Sequence, residues 1–314
     1  MLRRDFLAGL ASGALSAAVG GCGNSFGSTG ARPTALPTTA KLERIAISTW
    51  SLHNYFHATR SSDFNLPGPM LALLDFPDLI VEKYKVHHFE FCTSHFGSTE
   101  STYLHEIKYA LLRTGSTIVN IPVDIKECGP EGTFSDPDWR KRKEALDAVK
   151  LWVDVAQTLG AKAVRVGPGK VDPRNLARAL ESYKAVAVYA LAKGVRVLVE
   201  NHGGFGTEHP EELVKLLKLA GPGSLGTLPD FSDFPDETTR EEGLKMLFPY
   251  AATVCHAKGL EFDADGTEKT YDFQKAMEIA KRAGFRGVYS IEFDGPGDPY
   301  TGIQKTLDEL LSNL

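Results

Sequence analysis

The feature that most constrains this chain is an alternation carried eight times along its length: a short apolar run rich in β-branched residues, then a longer stretch with helical spacing. The runs are Ile45–Trp50, His88–Cys92, Thr117–Ile121, Ala163–Val166, Val195–Glu200, Leu225–Leu228, Thr253–Ala257 and Val288–Glu292. Between the third and fourth, Pro137–Leu159 brings Ala145, Leu146, Val149, Val153 and Ala156 onto one helical face, and Pro173–Ala192 repeats the pattern. Strands this apolar, joined by helices this long, predict parallel pairing with both faces covered. Eight such units predict an α/β chain folded as a single closed (β/α)8 TIM barrel. An open, doubly wound sheet would want a G-x-G-x-x-G turn after the first strand, and none is there. Gly160, Gly194 and Gly284 each stand just past a helical stretch, where a left-handed residue ends a helix.

Upstream of the barrel the chain changes character. Arg3 and Arg4 precede Asp5, Phe6, Leu7 and an Ala/Gly/Leu run to Val19, which resembles a twin-arginine export signal. That run, about 14 residues, is shorter than the ~20 a permanent membrane-spanning helix needs. Val19, Gly20, Gly21 and Cys22 resemble a lipoprotein processing site with Cys22 as the lipid anchor; the competing reading leaves Cys22 in a discarded leader. Residues 23–40, rich in Gly, Ser, Thr and Pro, read as a flexible tether after a leader at 1–22, with the barrel at 41–314. The expected location is therefore periplasmic, or anchored on the outer side of the cytoplasmic membrane. Cys92, Cys128 and Cys255 are too scattered for a disulfide framework or a thiolate zinc site and read as packing residues. With 40 acidic against 35 basic residues, a net charge of −5 offers no broad cationic surface for nucleic acid. The basic run Arg140–Lys143 reads as a solvated helix face.

Chemistry is concentrated where strands end, which in a (β/α)8 barrel is the active-site face. The fifth strand closes on Glu200, followed by Asn201 and His202, and the eighth closes on Glu292. The sixth runs through Pro229 into Asp230, with Asp233 three residues on. In the seventh, period-two alternation turns Val254, His256 and Lys258 to one side and Cys255 to the other. Buried carboxylates each cost several kcal/mol unless paired. Two partners are open: a shared divalent cation, or salt bridges to Arg165 and Lys258. Three carboxylates and one imidazole form a mostly oxygen donor set suited to Mn²⁺, Mg²⁺, Co²⁺ or Zn²⁺.

The ordered set Glu200-Asn201-His202, Leu228-Pro229-Asp230 with Asp233, His256-Ala257-Lys258 and Ile291-Glu292 resembles the xylose isomerase-like TIM-barrel superfamily of sugar phosphate isomerases and epimerases, over about residues 45 to 310. The resemblance implies Glu200, Asp230, His256 and Glu292 as metal ligands, Mn²⁺ foremost. It also makes Glu200 and Glu292 the catalytic carboxylates. One departure stands out: members of the family often carry histidine or asparagine where this chain has Asp233. His202, Lys258, Arg165, Asp233 and His95 are expected to line the substrate site, with His53 and His57 near it.

A cation holding two adjacent oxygens of a sugar or polyol acidifies the carbon-bound proton beside a carbonyl, and a carboxylate can then take it. The outcome would be isomerisation or epimerisation through an enediolate. Loss of a β-hydroxyl or a glycosidic oxygen from the same intermediate would instead make the protein a dehydratase or lyase. A non-catalytic exported carbohydrate-binding lipoprotein would keep the pocket without moving a proton. A nuclease of the related endonuclease type would need more histidines and a cationic groove.

Overall fold

The computed structural model describes residues 38–65, 68–124, 134–168, 171, 176–203 and 205–314. The leader, Cys22, the tether as far as residue 37, Cys128 and Lys170 lie outside the described residues. Eight parallel strands form the barrel: β1 (Ile45–Ser48), β2 (His88–Glu90), β3 (Thr117–Val123), β4 (Ala163–Val166), β5 (Arg196–Glu200), β6 (Gly226–Leu228), β7 (Val254–Gly259) and β8 (Val288–Phe293). Their order is β6-β5-β4-β3-β2-β1-β8-β7. The seam between β6 and β7 is closed by His256 N–H donating to Pro229 O at 2.9 Å and Phe231 N–H donating to His256 O at 3.2 Å. All eight expected strands are present, with ends shifted by one or two residues.

Helices follow as α1 (Thr38–Leu42), α2 (Phe76–Tyr84), α3 (Ser101–Thr114), α4 (Trp139–Leu159), α5 (Ala177–Leu191), α6 (Phe205–Glu208), α7 (Pro210–Ala220), α8 (Glu237–Leu247), α9 (Phe273–Arg282) and α10 (Pro299–Asn313). The α1 helix starts three residues before Lys41 and docks on the end of α10, where Lys41 Nζ donates to Leu311 O at 2.5 Å. The α4 helix buries Ala145, Val149, Val153 and Ala156 and ends at Gly160, whose φ is +77°. Of its basic run, Arg140, Lys141 and Lys143 are exposed, with Lys143 paired to Asp147 one turn on, whereas Arg142 is largely buried, donates to Asp136 O at 2.8 Å and pairs with Glu181. Among the described residues no helix is long and apolar enough to cross a membrane.

Two apolar layers form. The larger lies between strands and helices and takes the outward-facing strand residues such as Cys255, Tyr289 and Ile291. The smaller fills the floor of the barrel lumen with Ala46, Val119, Ala163, Leu198, Leu228 and Val254. Two residues further along five of those strands stand Ser48, Arg165, Glu200, Asp230 and His256, all buried. The pleat therefore stacks a polar layer directly on an apolar floor. Cys92 and Cys255 are free and buried, consistent with packing roles.

Gly287 enters β8 so close to β7 that an added Cβ would stand 2.5 Å from Thr253 O, the carbonyl that receives Val288 N–H. Gly287→Ala is expected to lower stability by about 1–3 kcal/mol, seen as a depressed Tm. On α10, burial pushes the Glu309 carboxyl from 4.5 up to about 7, against a hydrogen bond from Glu268 N–H that lowers it and with the Glu268 charge that raises it. Between those values the folded chain keeps a proton the unfolded chain has lost, so stability falls as pH rises through that window. Denaturant titrations of Glu309→Gln from pH 4.5 to 7 should lose that part of the slope.

Candidate metal centre

The polar layer converges on His256. Its Nδ1 lies 2.7 Å from Glu200 Oε1, 3.5 Å from Asp230 Oδ2 and 3.4 Å from Glu292 Oε2. One donor atom from each of these four residues falls within 4.8 Å of every other, and all four residues are buried. The short contacts are poorly aligned for hydrogen bonding: both Glu200 oxygens, Asp230 Oδ2 and His256 Nδ1 are buried without a well-formed hydrogen bond within the protein. Donor atoms gathered this closely and pointed at one another fit a cation held between them.

The scaffold holds each ligand from behind. Asp230 Oδ1 accepts from Ser232 N–H at 2.7 Å, Ser232 Oγ at 3.1 Å and Asp233 N–H at 3.0 Å, which leaves Oδ2 for the centre. Asn201 ties the ends of β5 and β6 together, accepting from Asp230 N–H at 2.8 Å and donating to Asp230 O at 3.1 Å. Arg165 sets Nε 2.9 Å from Glu200 Oε2 and grips the half-exposed Asp124 with its other nitrogens. Lys258 Nζ lies 3.1 Å from Glu292 Oε2 and 3.3 Å from Asp230 Oδ2.

Of the two partners left open by the sequence, the salt bridges to Arg165 and Lys258 are present, and the charges around them leave room for a cation. Glu90, Glu200, Asp230 and Glu292 are buried carboxylates, whereas Arg165 and Lys258 are the buried cations beside them. Two negative charges remain if His256 is neutral. A proton on His256 cancels one of them, and a divalent ion cancels both.

The titration behaviour follows the same electrostatics. Burial would raise the Glu200 carboxyl, but Arg165 and then His256 hold it well below the usual carboxylate range. Burial is likewise overcome at Asp230, by Lys258 and His256. At Glu292 burial prevails and the carboxyl is raised. Burial opposes charge on His256, yet Glu292, Glu90 and Glu200 keep it protonated well above the ordinary imidazole range in the protein alone. A bound metal would have to displace that proton.

The other expected site residues are placed unevenly. Asp233 is partly buried, accepts from Gly203 N–H at 2.9 Å and lies 3.6 Å from the exposed His202 Nδ1, so these two face each other at the mouth. Burial and Asp230 raise the Asp233 carboxyl. His95 offers no free nitrogen: Thr49 Oγ1 lies 2.8 Å from Nδ1 and Thr59 Oγ1 2.9 Å from Nε2, and burial pushes the ring down to about 3. It also stacks on Phe56 at 3.9 Å. His53 lines a cleft of about 230 Å³ with Ser51, Asn54 and Asp63, beside the centre rather than over it, since none of the four ligands lines it. His57 is exposed and stands apart from that cleft.

Sequence reasoning missed Glu90 and Asn120. Glu90 could have been found: Phe89 and Phe91 pack outward among the helices, so alternation turns Glu90 into the lumen. Asn120 gave no such signal.

No curated protein matches this sequence significantly. Among solved structures, the chain is similar to a D-psicose 3-epimerase from Clostridium cellulolyticum crystallised with D-tagatose, at 15% identity and TM-score 0.60, covering 85% of this chain and 95% of that one. A xylose isomerase-like TIM barrel protein from Mycobacterium smegmatis in complex with magnesium aligns at 16% identity and TM-score 0.60, covering 86% and 97%. The IOLI protein with a bound zinc atom aligns at 16% identity and TM-score 0.63, covering 86% and 98%. At these identities the likeness is one of fold. The sequence itself matches the profile of the xylose isomerase-like TIM barrel over residues 80–312, and the chain belongs to that family.

Proposed function

We propose that this protein is a divalent-metal-dependent sugar isomerase or epimerase that moves a proton through an enediolate. The observation that carries the reading is the buried cluster of Glu200, Asp230, His256 and Glu292, with one donor atom of each within 4.8 Å of the others at the strand ends of the barrel. The epimerase among its structural neighbours supports the choice of sugar as substrate class. Mn²⁺ is the preferred ion on donor chemistry, and neighbours holding magnesium and zinc keep those ions in view.

When bound, the ion would supply Lewis-acid polarisation of the substrate's adjacent oxygens. The remaining work falls to the chain. Glu200 and Glu292 reach the centre from β5 and β8, at 2.7 and 3.4 Å from the same His256 nitrogen, and so flank whatever lies between them. One carboxylate oxygen takes the carbon-bound proton, and the C–H electron pair moves to form the enediolate. Return of a proton to the neighbouring carbon gives the isomer; return to the opposite face of the same carbon gives the epimer. Arg165 keeps Glu200 ionised and oriented. Lys258, within 3.1 Å of Glu292 Oε2, is placed to donate to a substrate oxygen; if that oxygen departs, the product is that of a dehydratase or lyase. His202 and Asp233 stand at the mouth to receive sugar hydroxyls. The exported setting rests on the twin-arginine-like leader alone.

Incubating D-psicose, D-tagatose and D-fructose with the protein in D₂O, followed by NMR, is expected to show deuterium at carbon or new epimers. EDTA should abolish both and Mn²⁺ restore them. Full turnover in a metal-free sample would overturn the mechanism, loss of water from substrate would favour the dehydratase, and sugar binding without exchange would favour the non-catalytic binder. Glu292→Gln is expected to keep the fold and lose roughly 10²-fold or more in kcat; unchanged turnover would remove Glu292 from the chemistry.

A further inference from the structure

Glu90 is not one of the four ligands, yet it is fully enclosed in the lumen. Its Oε1 lies 2.8 Å from His256 Nε2, and its Oε2 accepts from Asn120 Nδ2 at 2.8 Å. A carboxylate can only accept, so Glu90 requires the proton on Nε2, and a cation that displaces the proton from Nδ1 then meets its lone pair. Nδ1 is the atom that faces Glu200, Asp230 and Glu292.

The backbone is shaped for this contact. β2 and β3 run in register at Phe89 and Ile118, then slip by one residue so that Glu90 stands opposite Asn120. Val119 belongs to the apolar floor of the lumen, and Asn120, the next residue, reaches Glu90 in the polar layer above it. Two successive side chains on one face cannot occur in a regular strand; the bulge supplies the extra residue and re-aims the asparagine.

We infer that Glu90, backed by Asn120, is a positioning residue that fixes His256 in the tautomer able to ligate a divalent cation through Nδ1. The inference rests on the metal-centre reading. A carboxylate buried only to fill space would be costly, because an apolar side chain of similar volume does that without desolvating a charge. Here the charge has a specific use: it orients a ligand and makes it a stronger donor.

The test uses the full-length protein and reads Mn²⁺ dissociation constants from the electron paramagnetic resonance of free Mn²⁺, with thermal melts alongside. Glu90→Ala is expected to weaken Mn²⁺ binding roughly 10–100-fold, and Glu90→Gln to recover part of the loss because its amide oxygen still accepts from Nε2–H. Equal dissociation constants in wild type and Glu90→Ala would overturn the inference while leaving the metal centre standing. A second measurement needs no variant and survives any folding failure. In wild-type protein labelled with nitrogen-15 histidine and titrated with Zn²⁺, the responding imidazole should be protonated at Nε2 and perturbed at Nδ1. Metal-induced perturbation at Nε2 would overturn the inference. Wild-type protein that binds neither ion would overturn the metal-centre reading itself.

Discussion

Burial of four carboxylates around one imidazole, inside a barrel lumen with an apolar floor, is the constraint on which the rest of the structure depends. Isolated carboxylates in such a place would each cost several kcal/mol. Arg165 and Lys258 offset part of that cost, Asn120 and Asn201 bond the groups that face away from the centre, and the remaining negative charge is left for a cation. The polar layer is thus a single electrostatic unit. Removing any one charge from it leaves another buried without compensation, so its charged members, drawn from six strands or their ends, behave as one site.

The surrounding structure keeps that unit from relaxing. Arg240, buried on α8, donates to Phe231 O at 2.9 Å, pinning the loop whose amides hold Asp230, and lies over the Tyr271 ring at 5.0 Å. Tyr271 in turn donates from its hydroxyl to Lys258 O at 2.6 Å. The ends of β6 and β7, joined only by a short seam in the sheet, are therefore clamped a second time by side chains. Precision at a metal centre depends on such outer contacts, because ligands that can rotate away lose affinity. His95 locks the segment after β1 to that after β2 through Thr49 and Thr59.

Asp233 gives this chain its own character within the family. Where an imidazole would offer a neutral ring or a donor, the carboxylate accepts from Gly203 and faces His202, so the pair occupies the mouth together. A negative group there favours hydroxyl donors and repels anions.

Much of this was legible in the sequence because it is local. Eight apolar runs with helices between them specify a parallel barrel through periodicity alone, and the acids at the ends of β5 and β8 announce themselves by closing apolar strands. The same alternation correctly turned His256 inward and Cys255 outward. What only the tertiary structure decided were the facts that depend on which strands become neighbours. Glu90 reaches His256 across 166 residues of chain, Asn120 faces Glu90 only because a bulge shifts the β2–β3 register, and His95 spends both nitrogens on the protein rather than on a ligand. Sequence fixes the face on which a side chain emerges, since that follows from the pleat; what the side chain meets there is set by barrel closure and register, which no single strand encodes.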